Sequence, residues 1–403
     1  MNSLGQLPFL SKPCSKHPDL FKGAYVLGWA LFVFYYAITN PYYYWDVIGY
    51  VASVYELIGF SEEALRDATY EDVRNAVPPH IFSELTGETL SHNYRSTVYE
   101  DASALQQQIP FYKIRYGYIW ITYVLGQLIG SFSQATILIS AASGFLIVLI
   151  SGILFWNARS VIVFLSVPPA VVFGGETLTL SKISQPDAIA ACAAVFLCAL
   201  IVVRRHITAT FLIALLPLFR TDYLIFALAA GFILFLRGNS RLAVLSASLA
   251  LLTYFAANHF AENYGYAVIF NFTLIDRWNS PYPLLMPISD NVRDYVDAYI
   301  RGLRKLVDTS EIYLYPVIVA VVVFFTSAQN RYQNRFFIIY FSCLFFVSMH
   351  FLFFPAAFLR HYFILPWASL MYLAEAFALH RHPAHRASNA SDLSPRKFTG
   401  ENR

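Results

Sequence analysis

The sequence predicts an all-α, polytopic helical membrane protein with about ten transmembrane helices and two large outer loops. Three observations carry this. Of the 403 residues, 57% are hydrophobic and only 13% are charged, where a soluble domain carries about 25% charged residues. Apolar runs close to the ~20 residues needed to cross a bilayer recur along the chain. The charges gather between those runs, acidic in one long stretch and basic in short loops. Of the four cysteines, Cys192, Cys198 and Cys343 lie inside apolar segments and Cys14 does not, so no disulfide framework is implied. No nucleic-acid motif and no phosphate-cradling Gly-rich loop is present, and nucleic acid is not an expected partner.

In chain order, residues 1–22 are polar, carry Lys12, Lys16 and Lys22, and read as cytoplasmic. No cleavage site follows the first apolar segment, which reads as a retained anchor. That segment, 23–39, stops at Asn40-Pro41. Residues 41–116 hold eleven acids against five bases and belong outside. Within them, 47–58 and 61–76 read as short helices on the membrane surface.

Residues 117–133 are apolar but short. As a full span they would put Arg204-Arg205-His206 and the Arg237 to Arg241 loop outside, against the positive-inside rule. They are therefore expected to lie in the interface or re-enter. The remaining spans are 135–156, 161–174, 186–203, 207–220, 222–236, 242–258, 312–326, 336–354 and 362–379. Arg159, Arg204, Arg205, Arg237, Arg241, Arg331 and Arg335 then face inward, and both termini are cytoplasmic. The large outer loops are 40–134 and 259–311, with a short one at 175–185. The transmembrane domain is thus 23–379, and 380–403 is expected to be a disordered basic tail. His380, His382 and His385 read either as a metal cluster or as part of that tail beside anionic lipid. There is no convincing internal repeat of the kind that marks duplicated transporters.

Several polar residues need a reason. The run Tyr42 to Tyr50 sets Asp46 among aromatic rings where the chain leaves the first span. Tyr and Trp belong at a membrane interface. A lone carboxylate there is costly unless paired, solvated or used. Lys113 and Arg115 are cations in an acidic loop, suited to headgroup snorkelling or to a lipid phosphate. Lys182 and Asp187 flank Ser184-Gln185-Pro186, where Asp187 would complement a helix N-terminus or serve a site. Arg220 and Asp222 sit between two spans with almost no loop and pair with each other or serve a site. In loop 259–311, the stretch Asn271 to Asn279 holds Asp276, Arg277 and Trp278, and Asn271-Phe272-Thr273 fits a glycosylation sequon. The Arg301, Arg304, Lys305 run has the spacing of a surface helix. Arg360-His361-Tyr362 stands at the outer end of the last span. Arg offers a planar donor fork to phosphate oxygens there, or anchors the interface.

Together these residues resemble the GT-C superfamily of membrane glycosyltransferases, such as the protein O-mannosyltransferases and the lipid A aminoarabinose transferases. The matched features are Asp46 early in the first outer loop and Pro110 to Arg115. To these add the Pro-Asp-Ala at 186–188, the Phe-Arg-Thr-Asp at 219–222 and the Arg-His-Tyr-Phe at 360–363. The likeness spans most of residues 20–380. It implies an inverting transfer of a sugar from a polyprenyl-phosphate donor to a glycan, lipid or protein acceptor. The reaction would take place on the outer face of a bacterial inner membrane, or in the lumen of an endoplasmic reticulum. It implies Asp46 as catalytic base, with Arg360, His361, Lys182, Arg220 and Arg115 on the donor phosphate. Asp187, Asp222, Glu56 and Tyr44 are further candidates. No cofactor is expected. Many relatives pair the first-loop acid, but Asp46 is followed by Val47 and the next acid is Glu56, so a divalent metal finds no support. The large soluble C-terminal domain usual in relatives has no expected counterpart. Two other readings stay open: an envelope-polysaccharide polymerase or ligase, and a transporter of lipid-linked saccharides.

Overall fold

A computed structural model describes residues 18–88, 93–158, 160–277, 279–308, 310–326, 333–356 and 358–380. The expectations for residues 1–17, Arg159, Trp278, Arg331, His382, His385 and the tail from 381 fall outside these. Among the described residues the chain is all-helical, with twenty α-helices and no strand.

The segment 40–134 is itself built of helices. After α1 (Pro18–Thr39) come α2 (Asp46–Leu57), α3 (Glu62–Ala76), α4 (Pro79–Leu85), α5 (Asn93–Glu100), α6 (Ala102–Lys113) and α7 (Tyr116–Ile129). The bundle follows as α8 (Phe132–Leu154), α9 (Val161–Gly174), α10 (Thr177–Ser181), α11 (Asp187–Val202), α12 (His206–Phe219), α13 (Leu224–Leu236) and α14 (Ser240–Phe260). The segment 259–311 holds α15 (Tyr266–Phe270) and α16 (Val292–Asp308). The chain closes with α17 (Ser310–Phe325), α18 (Phe337–Phe353), α19 (Leu359–Tyr362) and α20 (Ile364–His380).

All ten segments expected to span are helical. Three are long and apolar enough to cross a membrane unaided: Asp19–Thr39, Phe132–Leu154 and Ser240–Phe260. The others are shorter apolar helices. A 14-residue helix such as α12 rises about 21 Å, short of a ~30 Å hydrocarbon core. Residues 117–133 form α7 and a tight turn into α8. Gly130 ends α7 in the left-handed region at φ +81°, where a residue without Cβ is unstrained. Asp72 of α3 then caps α8, accepting from the Phe132 N–H at 2.9 Å and the Ser133 N–H at 3.0 Å. That bond ties the first loop to the bundle.

Small residues set the α1–α8 contact. A Cβ on Gly152 would lie 2.6 Å from a Val26 methyl, and one on Gly144 would lie 3.0 Å from Val33. Large apolar side chains stay exposed outside the bundle, among them Leu31 and Tyr35 on α1, Ile207 and Phe211 on α12, and Val244, Leu252 and Phe255 on α14.

There are two cores. One fills the bundle around Tyr223, Phe346, Tyr362 and Trp367; the other joins α2 to α7 around Val51, Leu65, Tyr112 and Tyr118. Tyr44 packs against the first and Trp45 against the second. Tyr43 also packs against the second, so the residues just before Asp46 lie at the seam of the two cores.

Candidate active site

The site is built on two short stretches laid side by side. Leaving α1, the Tyr42 N–H donates to the Lys182 carbonyl at 2.8 Å, and the Ser184 N–H donates back to the Tyr42 carbonyl at 3.2 Å. This is an isolated parallel bridge between Tyr42 and Ile183. Two residues on, the Tyr44 N–H donates to Ser184 Oγ at 3.1 Å. Pro41 and Pro186 explain why neither stretch continues its helix here.

Asp46 opens α2, where the helix dipole favours negative charge. Its Oδ2 accepts from the Gln185 side-chain amide, and its Oδ1 accepts from the Tyr112 hydroxyl at 3.3 Å. Tyr112 stacks edge-on against Tyr50 at 5.1 Å, and Trp45 lies 5.0 Å from Tyr94. Burial, and then the charge of Asp46, push the Tyr112 phenol well above its ordinary range. It stays protonated and can only donate to the carboxylate.

Two residues beyond Gln185, Asp187 starts α11 and receives Arg220 Nη1. Arg220 also forks onto Asp222, with Nε 3.0 Å from Oδ1 and Nη2 2.8 Å from Oδ2. His350 Nε2 sits 2.9 Å from Asp222, and His361 Nε2 sits 3.7 Å from Asp187. The side chains of Arg220 and Asp187 are 8% and 4% exposed, so these are buried charges held by partners; His350 is buried beside them.

Arg360 lies beside this network. Its guanidinium sits 4.8 Å from the Tyr44 ring centre and 4.9 Å from that of Phe358, and Nε approaches His361 Nε2 at 3.5 Å. Among the described residues no carboxylate pairs with it. Lys305 of α16 lies over the same Phe358 ring at 3.6 Å. Burial first, then the cations Arg220 and Arg360, push the His361 imidazole well below its ordinary range. His361 is therefore neutral near pH 7 and cannot add positive charge to the site, which revises its expected role. The buried atoms Gln185 Oε1, His350 Nδ1, His361 Nδ1 and Tyr362 Oη have no hydrogen-bond partner.

The other sequence candidates lie elsewhere or are engaged. Glu56, at the far end of α2, forms an ion pair with Lys113 at 2.8 Å. Arg115 donates to the Phe111 carbonyl at 2.6 Å, and its guanidinium lies 5.7 Å from the Tyr50 ring. Lys182 turns away toward Tyr36 of α1, because its backbone is held by the bridge. Arg220, Asp187 and Asp222 partner one another, so Arg220 does not reach a donor as a bare cation. An open groove of about 450 Å³ on the other side of the first loop is lined by Tyr55, Glu71, Asp72 and Ser131, and none of the site residues lines it.

Sequence reasoning passed over Gln185, His350 and Lys305 as site residues. His350 had a usable signal: it is an ionisable residue in the apolar run Phe337–Phe353.

Comparison with protein-family models, with curated proteins and with solved structures returned no match.

Proposed function

We propose that the chain is an integral-membrane inverting glycosyltransferase of the GT-C type. It moves a sugar from a polyprenyl-phosphate donor to an acceptor hydroxyl on the outer face. On this reading all ten apolar helices cross the bilayer, and loops 40–134 and 259–311 cover the site. The exposed apolar side chains of α1, α12 and α14 fit acyl chains; in water they would be an aggregation surface.

One observation supports the chemistry above the rest. The segment Ser184 to Asp187 holds Asp46 through Gln185 and holds the Arg220 and His361 cluster through Asp187. Asp46 and the Arg220–Asp187–His361 cluster, remote in sequence, are thereby held on one strut, with Arg360 beside His361. Asp46 takes the proton of the acceptor hydroxyl as its oxygen attacks the anomeric carbon from the face opposite the phosphate. The bond to the phosphate oxygen breaks and its electron pair leaves on the phosphate. Arg360, which no carboxylate among the described residues neutralises, stabilises that charge. Asp187 is already committed to Arg220 and Glu56 to Lys113, which leaves Asp46 as the base.

The test is transfer by purified protein in nanodiscs, offered a panel of polyprenyl-phosphate sugars and scored by release of polyprenyl phosphate. Wild type is expected to release it, and Asp46→Asn to lose about 10²–10⁴-fold in rate. Full activity in a folded Asp46→Asn would remove the base assignment, and no release with any donor would remove the function.

A further inference from the structure

We propose that the groove at the far end of α2, between α3 and the α7–α8 turn, binds a neutral or amine-bearing sugar unit of an oligosaccharide. The proposal rests on the reading above insofar as that oligosaccharide is the acceptor, and it assigns the acceptor to the glycans.

The lining of the groove carries the chemistry. Its volume is about 450 Å³, and a smaller hollow of about 260 Å³ adjoins it through Tyr55, Asp72, Gly130 and Ser131. Sites for small molecules occupy about 300–1,000 Å³. Two aromatic rings stand in the wall, Tyr55 and Phe60, set edge to face at 5.3 Å. Phe132 braces the Tyr55 ring edge-on at 5.1 Å, and Phe60 is exposed although large and apolar. Glu71, Asn75 and Gln134 line the same groove. Among the described residues, these three side chains and the Tyr55 hydroxyl have no hydrogen-bond or ion-pair partner. Aromatic faces take the C–H side of a pyranose, and carboxylate and amide groups meet its hydroxyls.

Charge narrows the ligand. No Lys, Arg or His lines either hollow. Asp72 is engaged already, accepting from the Ser131 hydroxyl and from the Phe132 and Ser133 N–H groups. Glu71 keeps a free carboxylate. A phosphate or a uronic acid would meet that charge with no cation to balance it, whereas an amine would pair with it. Burial, and then the charges of Asp72 and Glu71, push the Tyr55 phenol up to about 12. It stays protonated and can donate to a sugar oxygen.

The groove is set apart from the reaction centre. Tyr55 stands nine residues after Asp46 on α2, about 13.5 Å along the helix axis. A sugar in the groove is therefore several bonds removed from any hydroxyl that Asp46 deprotonates. One rigid helix carries both points, which suits an acceptor of more than one sugar unit.

Saturation-transfer NMR on the full chain in nanodiscs tests this with three soluble probes: the trimers of N-acetylglucosamine, glucosamine and galacturonic acid. Wild type is expected to bind the first, to bind the second more tightly and to bind the third about tenfold more weakly or worse. Phe60→Ala and Asn75→Ala are each expected to weaken the neutral trimer about three- to tenfold at unchanged melting temperature. Glu71→Gln should abolish the preference for the amine, and Asp46→Asn should bind all three as wild type does. Three outcomes would each overturn the proposal: no binding of the neutral or the amine trimer, equal binding by wild type and both folded groove variants, or a preference for the uronic acid. Groove-dependent binding without release of polyprenyl phosphate from any donor would keep this site and discard the glycosyltransferase. Transfer together with groove-independent binding would do the reverse.

Discussion

The side-chain amide of Gln185 donates to the carboxylate of Asp46. A neutral donor orients a base without competing for its proton. Replacing it by alanine is expected to lower kcat about tenfold with little change in the shape of the pH profile. Gln185→Glu sets a second carboxylate against the first. A shared proton then disfavours the ionised base, so the acid limb of the pH–rate profile should move to higher pH. Profiles of the two variants that superimpose would contradict this.

Gly49 lies one turn into α2, directly under Tyr112. A Cβ there would come within 2.2 Å of the Tyr112 ring. Gly49→Ala must displace the ring whose hydroxyl reaches Asp46, and is expected to cost about 1–3 kcal/mol in stability and to reduce transfer. Tyr112→Phe removes the hydroxyl without the clash, so it should keep its melting temperature and lose activity more modestly. Thermal melts alongside rate measurements separate the two effects.

Arg220 neutralises two buried carboxylates at once. Arg220→Gln leaves Asp187 and Asp222 uncompensated and is expected to destabilise the fold by about 3–5 kcal/mol, read as a marked drop in melting temperature. Adding Asp222→Asn should recover part of that loss, because the two sites are coupled. Strict additivity of the two losses would show that the pair does not act together.

The neutral His361 gives stability a pH signature. Its folded-state pKa is depressed, while in the unfolded chain it titrates near ~6.5. Above that pH both states are neutral and nothing is lost. As pH falls below it, the unfolded state takes up a proton that the folded state refuses. Stability should then decline by at most about 1.4 kcal/mol per pH unit until the folded-state value is reached. His361→Gln should flatten this slope between pH 6.5 and 5, and an unchanged slope would show that other groups set it.

The helices were legible because apolar runs bounded by Pro, Gly and basic residues leave few alternatives. Asn40-Pro41 marked the end of α1, and Asp46 stood out because no partner was near it in sequence. The pairing of Arg220 with Asp222 was readable from their spacing. Its continuation to Asp187 and His350 was not, since those contacts depend on how α11, α12 and α18 come together. The surroundings of Lys182 were likewise not legible: its ammonium lies 6.0 Å from the Tyr36 ring centre on α1. Crossing length was the other limit, because composition marks a helix as apolar without saying how far it reaches.

The bridge between residues 42 and 183 also gauges the site. Gln185, which holds the base, and Asp187, which anchors the cation cluster, are two residues apart on one strut, so their Cα atoms are at most about 7 Å apart. The spacing of these two anchors is therefore set by covalent geometry, and one residue inserted between Gln185 and Asp187 would put the Asp46 contact and the Arg220 contact out of register.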